Sequence, residues 1–273
     1  RCRIHGPGNP ICPEAQIFKD EILSWSKSSN GKIGFYPYNY NLADSLLPFS
    51  KIDYYKRMIE TVREADISEL AWTLESMDHW TTHAPHHYLS LRMLWTTDID
   101  VDKEMDRFFN GFYGKAAAPM RDYWTRIDQA YATTPTHVGS SYGQHHVWTP
   151  ELLKACRADI ENARTLAGNA REKKAVEMAE AGLRCAELFI SIWNDIGTFE
   201  FQRANRTRET LKAFVEEKAA ITTPPSWFHE RYAFSQYFES FIGRTVVGGA
   251  QILNDGGKIL VKLPDVWQFA KDE

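Results

Sequence analysis

A chain of 273 residues with 43% hydrophobic and 25% charged side chains has enough apolar material for one large folded domain or two modest ones, which argues against disorder. The formal net charge of -4, without a long basic run, argues against a nucleic-acid partner. No apolar stretch approaches the roughly 18 residues that a membrane span needs.

The chain opens with Arg1, Cys2 and Arg3, without Met or an apolar leader, so the start reads as cut. Cys2 and Cys12 bracket a loop rich in Gly and Pro, where a disulfide is geometrically possible. Pro13 and the spacing of Phe18, Ile22 and Trp25 predict a helix over 13–27. A turn follows, then a strand over 32–41 that should end near Pro37. Ile52, Tyr55, Ile59 and Val62 predict a helix over 51–65. A second strand is expected over 67–76, its apolar run Leu70, Ala71, Trp72 and Leu74 suiting burial on both faces. From about residue 84 the pattern turns helical: 86–96, one or two helices over 101–131, 150–168, a long run over 171–219 with a kink near Gly197, and 226–253 after Pro224-Pro225. Cys156 and Cys185 fall in these helical patterns and read as buried thiols. The closing run over 258–264 is strand-like.

Helix, strand, helix, strand is the order of a βα-repeat with parallel strands. Two strands cannot close an eight-stranded barrel, so the missing strands are expected before residue 1. The expected architecture is α/β then all-α: the C-terminal part of a (β/α)8 barrel over 1–100, a helical domain over 101–255, and the start of a further β domain over 256–273.

Barrel chemistry lies at the C-terminal ends of strands. Here those ends are 36–41 and 74–80. Glu75, bordered by Trp72 and Trp80, is the candidate catalytic carboxylate, because glycoside hydrolysis needs carboxyl groups beside rings that hold the sugar. A structural Glu tied to an Arg or an amide is the plain alternative. Tyr36, Tyr38 and Tyr40 alternate and would share a face, with Tyr38, Asn39 and Tyr40 placed at the tip to hydrogen-bond sugar hydroxyls. The spacing of His79, His83, His86 and His87 allows a metal pair, but Pro85 interrupts the segment and HExxH is absent. These histidines, His79 and His83 first, are therefore read as a polar pocket rim, and with no CxxC present no metal is expected. Asp98, Asp100 and Asp102 mimic the start of a calcium loop, but Lys103 and Phe109 stand where Gly and Glu are needed, so helix capping is the reading. GxSxG, GxGxxG and P-loop motifs are absent, and no cofactor is expected.

The segment from Leu94 through Trp95, Asp98 and Asp100, followed by Phe108, Asn110, Phe112, Tyr113, Gly114, Ala116 and Ala117, resembles the bacterial family catalogued as domain of unknown function 4838. Trp25, the run from Phe35 to Tyr40, and Leu47-Pro48-Phe49 are similar to further elements of that family, as is the loop between Cys2 and Cys12. Met93 and Phe112 are conservative departures. The resemblance runs over about residues 1–131. It implies a glycosidase barrel related to glycoside hydrolase family 163, whose members act on complex N-glycans, followed by a helical domain and often a β-sandwich. It further implies a glycan or glycoprotein as partner, a secreted, periplasmic or cell-surface location, and an acid/base carboxylate in a preceding N-terminal half of the same protein. The competing readings are a non-catalytic carbohydrate-binding or scaffold module that uses Trp72, Trp80 and Tyr38, and a helical interaction protein built on 100–253.

Overall fold

The computed structural model describes residues 2–39, 45–73, 80–138, 143–221, 227–228 and 231–259. Helix α1 (Pro13–Ser28) starts on an extended Cys12, with Pro13 in its first turn, where the missing amide costs nothing. Asn30 and Gly31 take positive φ, 52° and 77°, and turn the chain into strand β1 (Lys32–Phe35). A side chain at position 31 would stand 2.8 Å from Ser68 Oγ, so Gly is required there for space as well as for φ. The Gly31 carbonyl accepts from the amides of Ser68 and Glu69 at 3.0 and 3.1 Å, which starts strand β2 (Glu69–Trp72) beside β1. The strands are parallel, in the register Lys32 to Glu69 through Phe35 to Trp72.

Helix α2 (Ile52–Glu64) makes the crossover and buries Tyr54, Tyr55, Met58, Ile59 and Val62 at helical spacing. Its N-terminus is capped from a distance. The carboxylate of Asp128 accepts the amides of Ile52 and Asp53 at 2.8 and 3.1 Å and the Ser50 hydroxyl at 2.7 Å.

The barrel expectation is overturned. The chain is 71% helical, and the described residues hold a single sheet of two strands, which cannot form part of a closed (β/α)8 wall by themselves. The faces of β2 are not covered as a barrel strand's would be: Leu70 is half-buried and Ala71 exposed. Strand β1 ends at Phe35, two residues before Pro37, and the Thr73 amide after β2 still donates to the Phe35 carbonyl at 3.0 Å.

The rest is helix packed on helix: α3 (Trp80–Met93), α4 (Val101–Tyr113), α5 (Ala117–Thr133), α6 (Pro150–Leu166), α7 (Ala170–Gly197), α8 (Phe201–Ala219) and α9 (Arg244–Asn254), with π-helical turns at Arg231–Gln236 and Glu239–Gly243. α3 begins earlier than its sequence pattern implies and carries Pro85 inside it. Pro85 cannot donate to the Thr81 carbonyl, and that carbonyl is met instead by the bare backbone of Gly182 on α7. Asp100 caps α4 by accepting the amides of Asp102 and Lys103, as the aspartate spacing implies. Asn169 and Glu172 form a reciprocal cap on α7, with Asn169 Oδ1 accepting the Glu172 amide at 2.9 Å. The long helical run breaks after Gly197, where Phe199 takes a φ of 62°. One hydrophobic core runs from Cys2 to Val246, with Tyr55, Tyr113, Tyr123 and Trp124 fully enclosed. Residues 260–273 lie outside the described chain.

Candidate functional site

An open cavity of about 670 Å³ lies between α1, β1, α2 and the N-terminal loop. Helix α1 gives it Phe18, Glu21, Ile22 and Trp25, one face of a helix at intervals of three and four. β1 and the segment beyond it give Ile33 to Tyr38. The start of α2 gives Lys51, Tyr54 and Met58, again on one helical face, and the remaining wall is Cys2, Arg3 and His137.

Rings line the opening. Trp25 is 69% exposed and Tyr36 61% exposed, and the Tyr36 and Tyr38 rings meet edge to face with centroids 5.5 Å apart. The Arg3 guanidinium lies 4.5 Å over the Tyr38 ring. Deeper in, Lys51 Nζ donates to the Tyr38 carbonyl at 2.8 Å and sits 4.7 Å over the Tyr54 ring. Burial, helped by the charge of Arg3 and opposed by Cys2, lowers the Lys51 pKa from 10.5 to about 7. Burial likewise pushes the Tyr54 phenol well above its ordinary value.

Cys2 behaves differently from its neighbours. Burial alone would raise its pKa, but the His5 ring, with Nδ1 3.3 Å from the sulfur, and the backbone around Val138 outweigh it and bring the thiol down to about 6. Cys12, the extended residue just before α1, is pushed up by burial and by the charge on Cys2. Both are free thiols, so the loop disulfide allowed by their spacing is not formed.

Residues 1–125 match the family described as "Domain of unknown function (DUF4838)". This segment belongs to that family. No curated protein and no solved structure matches the chain. The DUF4838 segment contains every wall of the cavity except His137.

Of the residues singled out in the DUF4838 sequence, Tyr38 lies on the cavity, together with its neighbour Tyr36. Asn39 does not. It is fully buried, accepts from the Tyr55 hydroxyl, and donates through Nδ2 to Ser90 Oγ at 3.1 Å, so it ties the strand tip to α2 and α3. His83 is also buried, 2.8 Å from Thr82 Oγ1 through Nδ1, and packs against Phe49 and His86. It is therefore core, not a wet rim, because α3 lies in the centre of the helical pack. His86 points one ring nitrogen at the Phe49 carbonyl and the other at the Asn39 carbonyl, at 2.9 and 3.1 Å. Burial and the nearby His87 and Lys51 hold its pKa well below the ordinary value. Trp80 is half-buried, its ring 5.6 Å from that of His87. Trp72 ends β2 opposite Phe35. Tyr40, Glu75 and His79 lie outside the described residues.

Sequence reasoning missed Glu21, Lys51, Tyr54 and His137 as cavity residues. The shared signal was the helical spacing of 18, 21, 22 and 25 and of 51, 54 and 58, which core packing explains equally well.

Proposed function

We propose that this chain binds a glycan in the cavity beside β1, as the sugar-holding part of a glycan-processing protein. The observation that carries this reading is the placing of exposed Trp25 and Tyr36, with Tyr38, around an opening whose mainly apolar lining is interrupted by Arg3, Glu21 and Lys51. Sugars present apolar ring faces and hydroxyl edges. Aromatic rings take the first, while Arg3, Glu21, Lys51 and Tyr54 offer donors and acceptors for the second. The volume suits a mono- or disaccharide end of a larger chain. The family resemblance favours glycans that contain N-acetylhexosamine.

Hydrolysis of that glycan is the catalytic form of the same proposal. It requires two carboxyl groups across the scissile bond. Among the described cavity residues Glu21 is the one carboxylate, so Glu75 is proposed as the second.

Titration calorimetry with N-acetylglucosamine oligosaccharides tests binding. Trp25→Ala should weaken it about fivefold or more, since truncating an aromatic anchor costs ~1 kcal/mol or more. Absence of binding to the unmodified chain rejects the reading, and unchanged affinity in Trp25→Ala moves the site elsewhere. Release of glycan from an N-glycoprotein, compared with Glu75→Gln, tests hydrolysis separately.

A further inference from the structure

We propose that Cys2, Cys12 and His137 bind a zinc ion on the wall of the cavity. Their ligand atoms, two sulfurs and one imidazole nitrogen, all lie within 4.8 Å of one another. Zinc held at about 2.3 Å from sulfur and 2.0 Å from nitrogen places tetrahedral ligands roughly 3.5–3.8 Å apart, so closing the group takes shifts of about 1 Å. Among the described residues this is the group of three such side chains that converges in this way.

Three separate parts of the chain bring the donors together. Cys12 is fixed as the residue immediately before α1, its carbonyl accepting the Ala15 and Gln16 amides at 3.0 and 3.2 Å. The loop carrying Cys2 is stitched to the segment carrying His137 by the Arg3 amide, which donates to the Val138 carbonyl at 2.9 Å. Asn9 Nδ2, donating to the Ala132 carbonyl at 2.9 Å, fastens the same loop a second time. A disulfide between Cys2 and Cys12 would need neither stitch nor His137, whereas a metal needs all three donors.

The surroundings fit a metal ligand as well. The His5 ring lies 3.3 Å from Cys2 Sγ and is buried, the arrangement by which an outer histidine orients a ligating sulfur. Two thiolates with an imidazole suit zinc better than calcium or magnesium, which prefer oxygen. Three protein ligands leave a fourth position for water or substrate. Cys2 and His137 both line the cavity, so that position is supplied from it. The zinc site is independent of whether the cavity takes a sugar.

The test uses the 273-residue chain with its thiols reduced. After equilibration with zinc chloride and removal of loose metal, elemental analysis should give one zinc per chain. Cobalt in its place should give a thiolate-to-cobalt charge-transfer band. His137 is exposed, so His137→Ala leaves the fold intact; it should lose zinc to a competing chelator at least about tenfold more readily, since loss of an outer partner alone costs that much. Cys2→Ser and Cys12→Ser should abolish the cobalt band. Absence of zinc from the reduced chain overturns the proposal, as does zinc retained unchanged by the His137→Ala and Cys2→Ser variants.

Discussion

Lys51 provides the sharpest handle on the cavity. Its ammonium group is enclosed, with one hydrogen bond to the Tyr38 carbonyl and the rings of Tyr54 and Phe49 for neighbours. The folded chain lowers its pKa from 10.5 to about 7. Between those values the unfolded chain holds a proton that the folded chain lacks, so stability rises with pH through that window. Below about pH 7 both states are protonated and the full cost of the buried charge is present. At ~1.4 kcal/mol per pH unit, that cost is on the order of 5 kcal/mol. Lys51→Met keeps the stem, removes the charge and loses a hydrogen bond worth about 1 kcal/mol. It should therefore be more stable than the parent at pH 6 by roughly 3–4 kcal/mol, with the advantage gone by about pH 10. Urea unfolding of both proteins at each pH, read as a difference, cancels the titration of every other group. A difference that does not change with pH, or a less stable Lys51→Met at pH 6, refutes the reasoning.

Two glycines should respond with opposite signs. An alanine Cβ at Gly182 would overlap the Thr81 carbonyl oxygen and lie 3.1 Å from its carbon, whereas one at Gly111 would meet nothing within 4 Å. Gly182→Ala should lose about 1–3 kcal/mol and Gly111→Ala should gain about 0.5–1 kcal/mol, both read by thermal unfolding. Asn39→Ala should cost about 1–2 kcal/mol by removing one buried hydrogen-bond partner from each of the Tyr55 and Ser90 hydroxyls, yet leave sugar affinity unchanged if the residue ties the fold together. Affinity lost without stability would return Asn39 to the site.

How far the sequence could be read depended on range. Helices α1, α2 and α4 to α8 were legible because each carries its own apolar stripe and, in several cases, its own cap, as at Asp100 and Asn169. The parallel pairing of β1 with β2 followed from the helix between them. The barrel did not follow, since two apolar runs state that strands exist but not how many neighbours they have. Pro85 hid the start of α3, because only the close approach of Gly182, ~100 residues away along the chain, shows how the helix tolerates it. The site was legible where neighbours in sequence share a face, as with Tyr36 and Tyr38. Asn39 looked like a tip residue but is sealed by Tyr55 and Ser90. Cys2 and Cys12 are near neighbours in sequence, but His137 carries no short-range spacing to either, and the bonds from Arg3 to Val138 and from Asn9 to Ala132 bring it to them.

The central claim is that sugar rings pack on Trp25 at the mouth of the cavity. The most direct measurement is the nitrogen–proton NMR spectrum of the indole groups during titration with an N-acetylglucosamine oligosaccharide, with the Trp25 signal assigned by its loss in Trp25→Phe. The Trp25 signal should move with saturation while those of enclosed Trp124 and Trp148 stay in place. A Trp25 signal that does not move while sugar binds elsewhere, or at no site, contradicts it.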